Sequence, residues 1–377
     1  MIDLGTHGKD FRDKYLERRS LLVRNGVGSP PGLREVDSFL DHSDPSPPHI
    51  RVFKEGPVDE SRYTEEIDDL GVWRRRLMKG QLHQLILEGA TVALNRIDRH
   101  SWPIRSLCHE ISRLTGERAT ANAYLAVSGT GSFGKHWDTH DVFAVQLRGR
   151  KRWRLFAPTL PLPLATQTSL RHKTECPITP VFDEILETGD LLYIPRGWWH
   201  LAEPIGELSF HIAIGTHTIR VIDYLLWACG RVLPEQLEAR RAAGANSSAP
   251  PAFASHLLNE MSEKVASKDL WGEFLEFLHS RQRNEVPSSM EDLQSLQNGE
   301  IPIEYRVRLN TYHNTSRSIN GYQIESDNSS RLILKEIKTS QPISIAKLLE
   351  KFPSQESSEV LVTLANLARL EILEVMA

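Results

Sequence analysis

Three side chains of this sequence make up a metal-ligand set. His136 and Asp138 stand as an H-x-D pair within GKHWDTHDVFAVQLRGRKRW (134–153), and His200 closes TGDLLYIPRGWWH (188–200). Two imidazoles and one carboxylate hold a divalent ion from one side and leave its remaining positions open, an arrangement suited to oxygen chemistry at Fe(II). In a strand, residues i and i+2 share a face, so an extended segment presents His136 and Asp138 together and turns Trp137 away. An H-x-D pair alone is a weak signal. The third ligand must come from elsewhere, and His200 follows Gly189-Asp190 and Pro195-Arg196-Gly197, a turn, strand, turn context that places it at a strand edge. These donors suit Fe(II), Mn(II) or Zn(II), and the open positions favour an iron oxygenase over a closed structural zinc site.

The elements that must carry these residues are mostly strands. Between 120 and 218 the runs TANAYLAV, DVFAVQL, KRWRLFA, DLLYIP and SFHIAIGT are rich in strand formers and are separated by turn residues. The tight connection at Arg148-Gly149 predicts a hairpin between DVFAVQL and KRWRLF. Strand alternation puts Lys151 and Trp153 on one face with Arg150 and Arg152 on the other, and gives Ser209, His211 and Ala213 a common face. Asn122 and Tyr124 alternate in the same way within TANAYLAV. Upstream, a short amphipathic helix within 9–24 leads into the strand-like SLLVR, and LREVDSFL reads as a helix with Leu33, Val36 and Leu40 on one face. QLHQLILEGA is helical and TVALNRI a strand, while Ile104, Leu107, Ile111 and Leu114 recur at helical spacing. Many short strands after helices predict an α+β fold, a small β-barrel or double-sheet jelly roll with N-terminal helical decoration.

Beyond about residue 221 the pattern turns helical, through VIDYLLWACGRVLPEQLEARRAA, the solvated linker AGANSSAPPA, and a stretch over 254–280. After the polar loop NEVPSSM, residues 301–377 read as strand (YRVRLNTY), strand (RLILKEI), helix (SIAKLLEKF), helix (SSEVLVTLANLARL) and strand (EILEV), an order that fits a small winged-helix-like module.

Composition bounds the functional classes. A chain of 377 residues, 40% hydrophobic and 25% charged, is long enough for two or three domains with a large core. A net charge of −4 argues against nucleic acid as the primary ligand. Cys108, Cys176 and Cys229 form no CxxC pair, which argues against a disulfide framework and suits the reducing cytoplasm. No apolar run is long enough for a membrane span, and the charged N-terminus lacks the core of a signal peptide.

The ligand flanks carry a family likeness. H-W-D, then D-V-F-A-V-Q-L-R-G-R-K-R-W, then L-x-x-G-D-L-L-Y-I-P-R-G-W-W-H over roughly residues 118–218 resembles the JmjC-type cupin oxygenases. The nearest likeness is to the ribosomal oxygenase branch, which hydroxylates ribosomal-protein side chains with Fe(II), 2-oxoglutarate and O2. The resemblance implies a double-stranded β-helix (jelly-roll, cupin) catalytic domain over 1–220, a helical dimerisation region over 221–300 and a winged-helix domain over 301–377. It makes His136, Asp138 and His200 the iron ligands, and Lys151 the cation that binds the distal carboxylate of 2-oxoglutarate. Asn122 and Tyr124 match positions that line the cosubstrate pocket, and His211 reads as pocket wall; this chain has Ala213 where some relatives carry a hydroxyl. His140 shares the parity of the ligand pair, but a fourth protein ligand would block the open face, so it reads as exposed or behind the ligands. Trp198 and Trp199 either wall a substrate groove or pack the barrel.

The implied reaction is hydroxylation of a protein or peptide side chain by a homodimeric enzyme, with succinate and CO2 as coproducts. Three rivals stand beside it: the same chemistry on a biosynthetic peptide or small molecule, a metal cupin needing no 2-oxoglutarate, and a non-enzymatic binding protein. Lys151 argues against the second and the complete ligand set against the third.

Overall fold

Strand alternation within residues 118–217 is satisfied, in a computed structural model, by two sheets that face one another. The structure describes residues 1–129, 131, 133–242, 254–281, 298, 301–310, 318–319, 322–323, 328–352 and 357–376. The larger sheet has seven strands in the order β1 (Leu21–Val23), β10 (Leu191–Ile194), β7 (Asp141–Arg148), β12 (Ser209–His217), β6 (Arg118–Ala126), β5 (Thr91–Leu94) and β2 (Ile50–Phe53). Opposite it lie β11 (Trp199–Pro204), β8 (Lys151–Phe156) and β9 (Phe182–Leu186). A separate hairpin is made by β3 (Thr64–Asp69) and β4 (Val72–Leu77).

The larger sheet is covered on both faces, which is why its strands read as nearly continuous apolar runs. On one face Phe143, Val145, Tyr193, Phe210, Ile212 and Leu125 are buried in a core with Ile104, Leu107 and Ile111 of the helix Trp102–Thr115. That helix begins where Ser101 Oγ accepts from the Ile104 N–H and ends at Gly116, whose φ of 80° suits a helix terminus. The alternate residues, Val142 and Ala144 of β7 with Leu192 and Ile194 of β10, meet Trp153, Leu155 and Leu186 of the smaller sheet in a second core. This is the double-sheet jelly-roll architecture that the strand alternation predicts, and its interior is where the chemistry-bearing residues point.

The sequence-predicted helices and strands form, with two differences in this unit. First, β7 and β8 are not a hairpin. β7 pairs with β10 and β12, whereas β8 pairs with β9 and β11. The short link at Gly149 instead carries the chain from one sheet to the other, so β8 faces β7 across the interior. Gly149 has φ 64°, and a Cβ there would lie 2.3 Å from the Leu208 carbonyl oxygen, so the corner admits only glycine. Second, His136 and Asp138 do not sit in a strand; His136 makes one isolated antiparallel bridge, to His200.

The chain divides at Thr218, and Ile219–Ala377 forms a second compact unit. In it the helix Val221–Val232 packs Tyr224 and Ala228 against Met261 of Ala254–Val265 and Phe274 of Lys268–Arg281. The expected loops at 243–252 and 284–290 lie outside the described residues. Nearer the C-terminus, strands Ile343–Ser344, Arg306–Leu309 and Leu373–Met376 make a three-stranded sheet, with helices Asn328–Ser340, Ile345–Leu349 and Ser357–Arg369. RLILKEI is therefore helix and not strand: Ile333, Leu334 and Ile337 are spaced to share one helical face and are buried together. Among the described residues no helix is long and apolar enough to cross a membrane.

The corner yields a direct expectation. Gly149→Ala should destabilise the protein by about 2 kcal/mol or more, read as a lower urea midpoint at constant slope. A change under about 0.5 kcal/mol would contradict the crossover geometry.

Candidate metal centre

The ligand atoms of His136, Asp138 and His200 all lie within 4.8 Å of one another, and this is the metal-capable group found among the described residues. His136 and His200 are held in register by two backbone hydrogen bonds: the His136 N–H donates to the His200 carbonyl (3.2 Å) and the His200 N–H to the His136 carbonyl (2.8 Å). Asp138 is tied to the same turn, its carbonyl accepting from the Gly197 N–H at 3.0 Å. Local extension at His136 is enough to give the i, i+2 pair a common side, while Trp137 is buried with Phe156 and Trp199.

Each imidazole is oriented from behind. Nδ1 of His136 lies 3.0 Å from the Gly134 carbonyl, and Nδ1 of His200 3.1 Å from the Trp198 carbonyl. A carbonyl accepts only, so both Nδ1 atoms carry the proton and both Nε2 lone pairs are free for a metal. His200 Nε2 is 3.6 Å from Asp138 Oδ2. Burial pushes His200 down to about 4, with the neighbouring His136 adding to the effect, so it is neutral and ready to ligate at physiological pH. Burial alone would raise the Asp138 carboxyl, but His200, His136 and His140 outweigh it and hold the group below the usual carboxylate range. Two imidazoles held by their Nδ1 atoms and a carboxylate on one side of a barrel mouth therefore fit a divalent ion with open positions.

A second anchor lies just behind. Asp141 is fully buried and accepts from the Tyr193 hydroxyl (2.7 Å) and the Arg196 backbone N–H (2.9 Å). It thereby fastens the end of the H-x-D segment to the β10–β11 turn that delivers His200.

Deeper in the barrel, Lys151 is 3% exposed and its Nζ lies 3.4 Å from Nδ1 of His211. Burial lowers its pKa to about 7. Arg150 and Arg152 point outward to Glu207 and Asp183. Asn122 and Tyr124 face the same interior, opposite Ala213 and His211 on β12. Asn122 Oδ1 accepts from the Arg96 N–H at 3.0 Å. Tyr124 stacks on His211 at 5.1 Å, and burial, then the Asp138 charge, push its phenol up to about 12. The sequence-predicted residues are thus brought into one barrel interior. His140 stays outside the ligand group, its ring stacked on His217 and seated over Gly215, where a Cβ would lie 2.5 Å from His140 Cδ2. Trp199 is core, with its indole N–H donating to Thr159 Oγ1, and Trp198 packs half-buried against the interior cluster.

The sequence gives no sign of the rim. Phe53 of β2 and Phe133 stand 4.5 Å apart, Phe133 also meets Tyr124 and His136, and Arg51 lies over the Phe53 ring. These residues come from segments far apart in sequence and carry no motif.

Comparison with known proteins agrees with this geometry. Residues 94–224 match the JmjC domain family. The chain is 33% identical over 145 residues to the Caenorhabditis elegans bifunctional lysine-specific demethylase and histidyl-hydroxylase NO66 (37% of this chain, 19% of that protein). It is 36% identical over 140 residues to Rattus norvegicus ribosomal oxygenase 2 (36% and 30%), and 27% identical over 215 residues to Gallus gallus ribosomal oxygenase 1 (55% and 35%). The matched region spans at most 35% of the length of these three relatives. Among solved structures, E. coli ycfD superposes with a TM-score of 0.61 at 18% identity, covering 100% of this chain and 99% of that one. The E. coli ribosomal oxygenase YcfD in complex with cobalt and 2-oxoglutarate gives 0.61 at 18% identity, with 100% of both chains covered.

The buried histidines set a pH dependence. His200 titrates near 6.5 when unfolded and near 4 when folded, and His211 is also pushed well below 6.5. The unfolded chain therefore takes up protons first as pH falls, and metal-free protein should lose stability from about pH 6.5 toward about pH 4. Urea midpoints at the two ends measure it; an unchanged or rising midpoint would contradict neutral buried imidazoles. The ligand distances and the family match agree: residues 94–224 of this chain match the JmjC domain family, and all three ligand residues lie within them.

Proposed function

We propose that this protein is an Fe(II)- and 2-oxoglutarate-dependent oxygenase that hydroxylates a side chain of a protein, with ribosomal proteins as the first substrates to test. The observation that carries the reading is the pairing, inside one barrel, of an open three-ligand metal group with a buried lysine whose pKa no carboxylate raises. A metal-only cupin has no use for such a lysine. The names of the sequence relatives, ribosomal oxygenases and histidyl-hydroxylases, support a protein substrate and hence an intracellular site of action. The solved YcfD complex with cobalt and 2-oxoglutarate supports the cosubstrate.

In this reading His136, Asp138 and His200 hold the iron from one side, each histidine fixed by the carbonyl behind it. Lys151 binds the distal carboxylate of 2-oxoglutarate as a point charge, and that anion restores the proton that burial makes easy to lose. Asn122 and Tyr124 line the space between, and Tyr124 keeps its proton and so donates a hydrogen bond. When bound, iron, 2-oxoglutarate and O2 supply the oxidising chemistry, with succinate and CO2 as coproducts. The chain's own contribution is orientation and shielding: the apolar interior excludes water, and the Phe53–Phe133 rim meets the incoming side chain.

The second unit is proposed as an interaction region. Val221, Ile222, Leu225 and Leu226 leave an apolar face of the helix Val221–Val232 exposed, which supports a homodimer contact within 221–300. The order of elements over 301–377 supports a winged-helix-like domain, and with nine Lys and Arg against nine Asp and Glu that segment has no basic excess to favour nucleic acid as its partner.

Incubation with Fe(II), 2-oxoglutarate and O2 should release succinate, and a ribosomal protein should gain one oxygen by mass spectrometry. No succinate from metal-loaded protein would sink the reading; succinate without a modified ribosomal protein would redirect it to another peptide or small molecule. Lys151→Ala should weaken 2-oxoglutarate binding at least tenfold, by about 1.4 kcal/mol or more. Since free Lys151 loses its proton above about pH 7, affinity for 2-oxoglutarate should fall about tenfold per pH unit above that value. A flat profile would contradict the anchor. Light scattering should give a dimer that Leu225→Glu dissociates; a monomeric parent would contradict the interface.

A further inference from the structure

Lys151 on β8 and His211 on β12 belong to opposite sheets, and their side chains meet across the barrel interior at 3.4 Å. His211 is 5% exposed and closely held. Its ring is stacked on Tyr124 at 5.1 Å and 17°, and Trp153 abuts it edge-on at 5.4 Å and 89°. The register of β12 against β7 shifts between Phe210 and His211, an irregularity of the kind that re-aims side chains beside active sites. The packing holds the plane of the His211 ring, and its Nδ1 lies toward the lysine.

The donors around this pair meet no carboxylate. Burial is what lowers the pKa of Lys151, with no carboxylate opposing it, and the buried indole N–H of Trp153 has no acceptor among the described residues. Buried donors left in this state cost stability, so the pocket is built for a ligand that brings oxygen acceptors. An ammonium has three N–H donors that rotate freely about the terminal bond. Alone in an apolar pocket it would present them in no fixed direction. One fixed acceptor removes that freedom.

We propose that His211 is the positioning residue of the cosubstrate anion site: its Nδ1 accepts one N–H of Lys151 and so aims the other two at the distal carboxylate of the ligand. The indole N–H of Trp153, at the edge of the same ring, is the further donor available to that carboxylate. The role requires a neutral imidazole, and burial together with the Lys151 charge keeps His211 well below the ordinary histidine range. The proposal rests on the 2-oxoglutarate reading above and adds to it the residue that gives the lysine its direction.

Two substitutions separate the acceptor from the aromatic packing. His211→Phe keeps a ring between Tyr124 and Trp153 but has no acceptor, whereas His211→Asn loses the ring and keeps an acceptor near the Nδ1 position. The measurement is calorimetric binding of 2-oxoglutarate to the full chain loaded with Mn(II), with Mn(II) affinity measured first for each variant. His211→Phe should bind 2-oxoglutarate about tenfold or more weakly and His211→Asn within about threefold of the parent, both with unchanged Mn(II) affinity. Should His211→Phe fail to fold, His211→Leu against His211→Asn makes the same comparison with side chains of the same branching and heavy-atom count. Binding by the acceptor-free variant within about twofold of the parent, or equal weakness of both variants, would overturn the positioning role while leaving the Lys151 anchor standing. A Mn(II)-loaded parent that binds no 2-oxoglutarate would instead remove the underlying reading.

Discussion

Two reciprocal backbone hydrogen bonds between His136 and His200 are the constraint on which the site depends. Nothing in a barrel's packing requires a loop residue to sit at a fixed height beside a strand of the smaller sheet; this one-residue bridge does. It sets the distance between two imidazoles, and the carbonyls of Gly134 and Trp198 then set the rotation of each ring. Asp138 follows because it is two residues on. Asp141 adds the fastening from behind, its buried carboxylate spent on the Tyr193 hydroxyl and the Arg196 N–H. A metal group assembled this way is preorganised: its donors stand together, each ring turned by the carbonyl behind it, before any ion arrives.

The barrel supplies the second half of the chemistry by a division of faces. Along β6, β7, β10 and β12 the residues of one parity are buried against helices and hold the fold together. Those of the other parity line the interior, and among them are Asn122, Tyr124, Gln146 and His211. A lysine from the opposing sheet completes the set. Because β8 crosses over at Gly149 and does not fold back beside β7, Lys151 reaches across the interior to β12. The corner glycine and the placing of Lys151 against β12 are consequences of one topological choice.

Much of this was legible in the sequence, and for physical reasons. H-x-D with a distant histidine is a coordination pattern, and period-two alternation placed Lys151 and Trp153 inside and Arg152 outside without any structure. Helix periodicity marked Ile104, Leu107 and Ile111. What escaped were choices made by tertiary contacts. Arg148-Gly149 has the chemistry of a tight turn whether the next strand pairs with the last or crosses to another sheet; only the close approach of the Leu208 carbonyl distinguishes the two. RLILKEI has the composition of a strand, yet Ile333 and Ile337 are spaced to share a helical face, and burial decided for the helix. The Phe53–Phe133 rim joins residues from remote segments, so no local pattern marks it. The single bridge at His136 is too short to leave any periodic trace.

The central claim is that the three ligands and Lys151 serve one ligand pair, a ferrous ion and an α-keto dicarboxylate. An anaerobic titration tests it most directly, adding Fe(II) and then 2-oxoglutarate to the full chain and following visible absorbance. Chelation of ferrous iron by a keto acid produces a charge-transfer band that neither component gives alone. The account predicts that the band grows to saturation near equimolar iron, and is lost in His200→Ala. In Lys151→Ala it should appear only at much higher 2-oxoglutarate. A protein that binds Fe(II) but never develops the band would contradict the account.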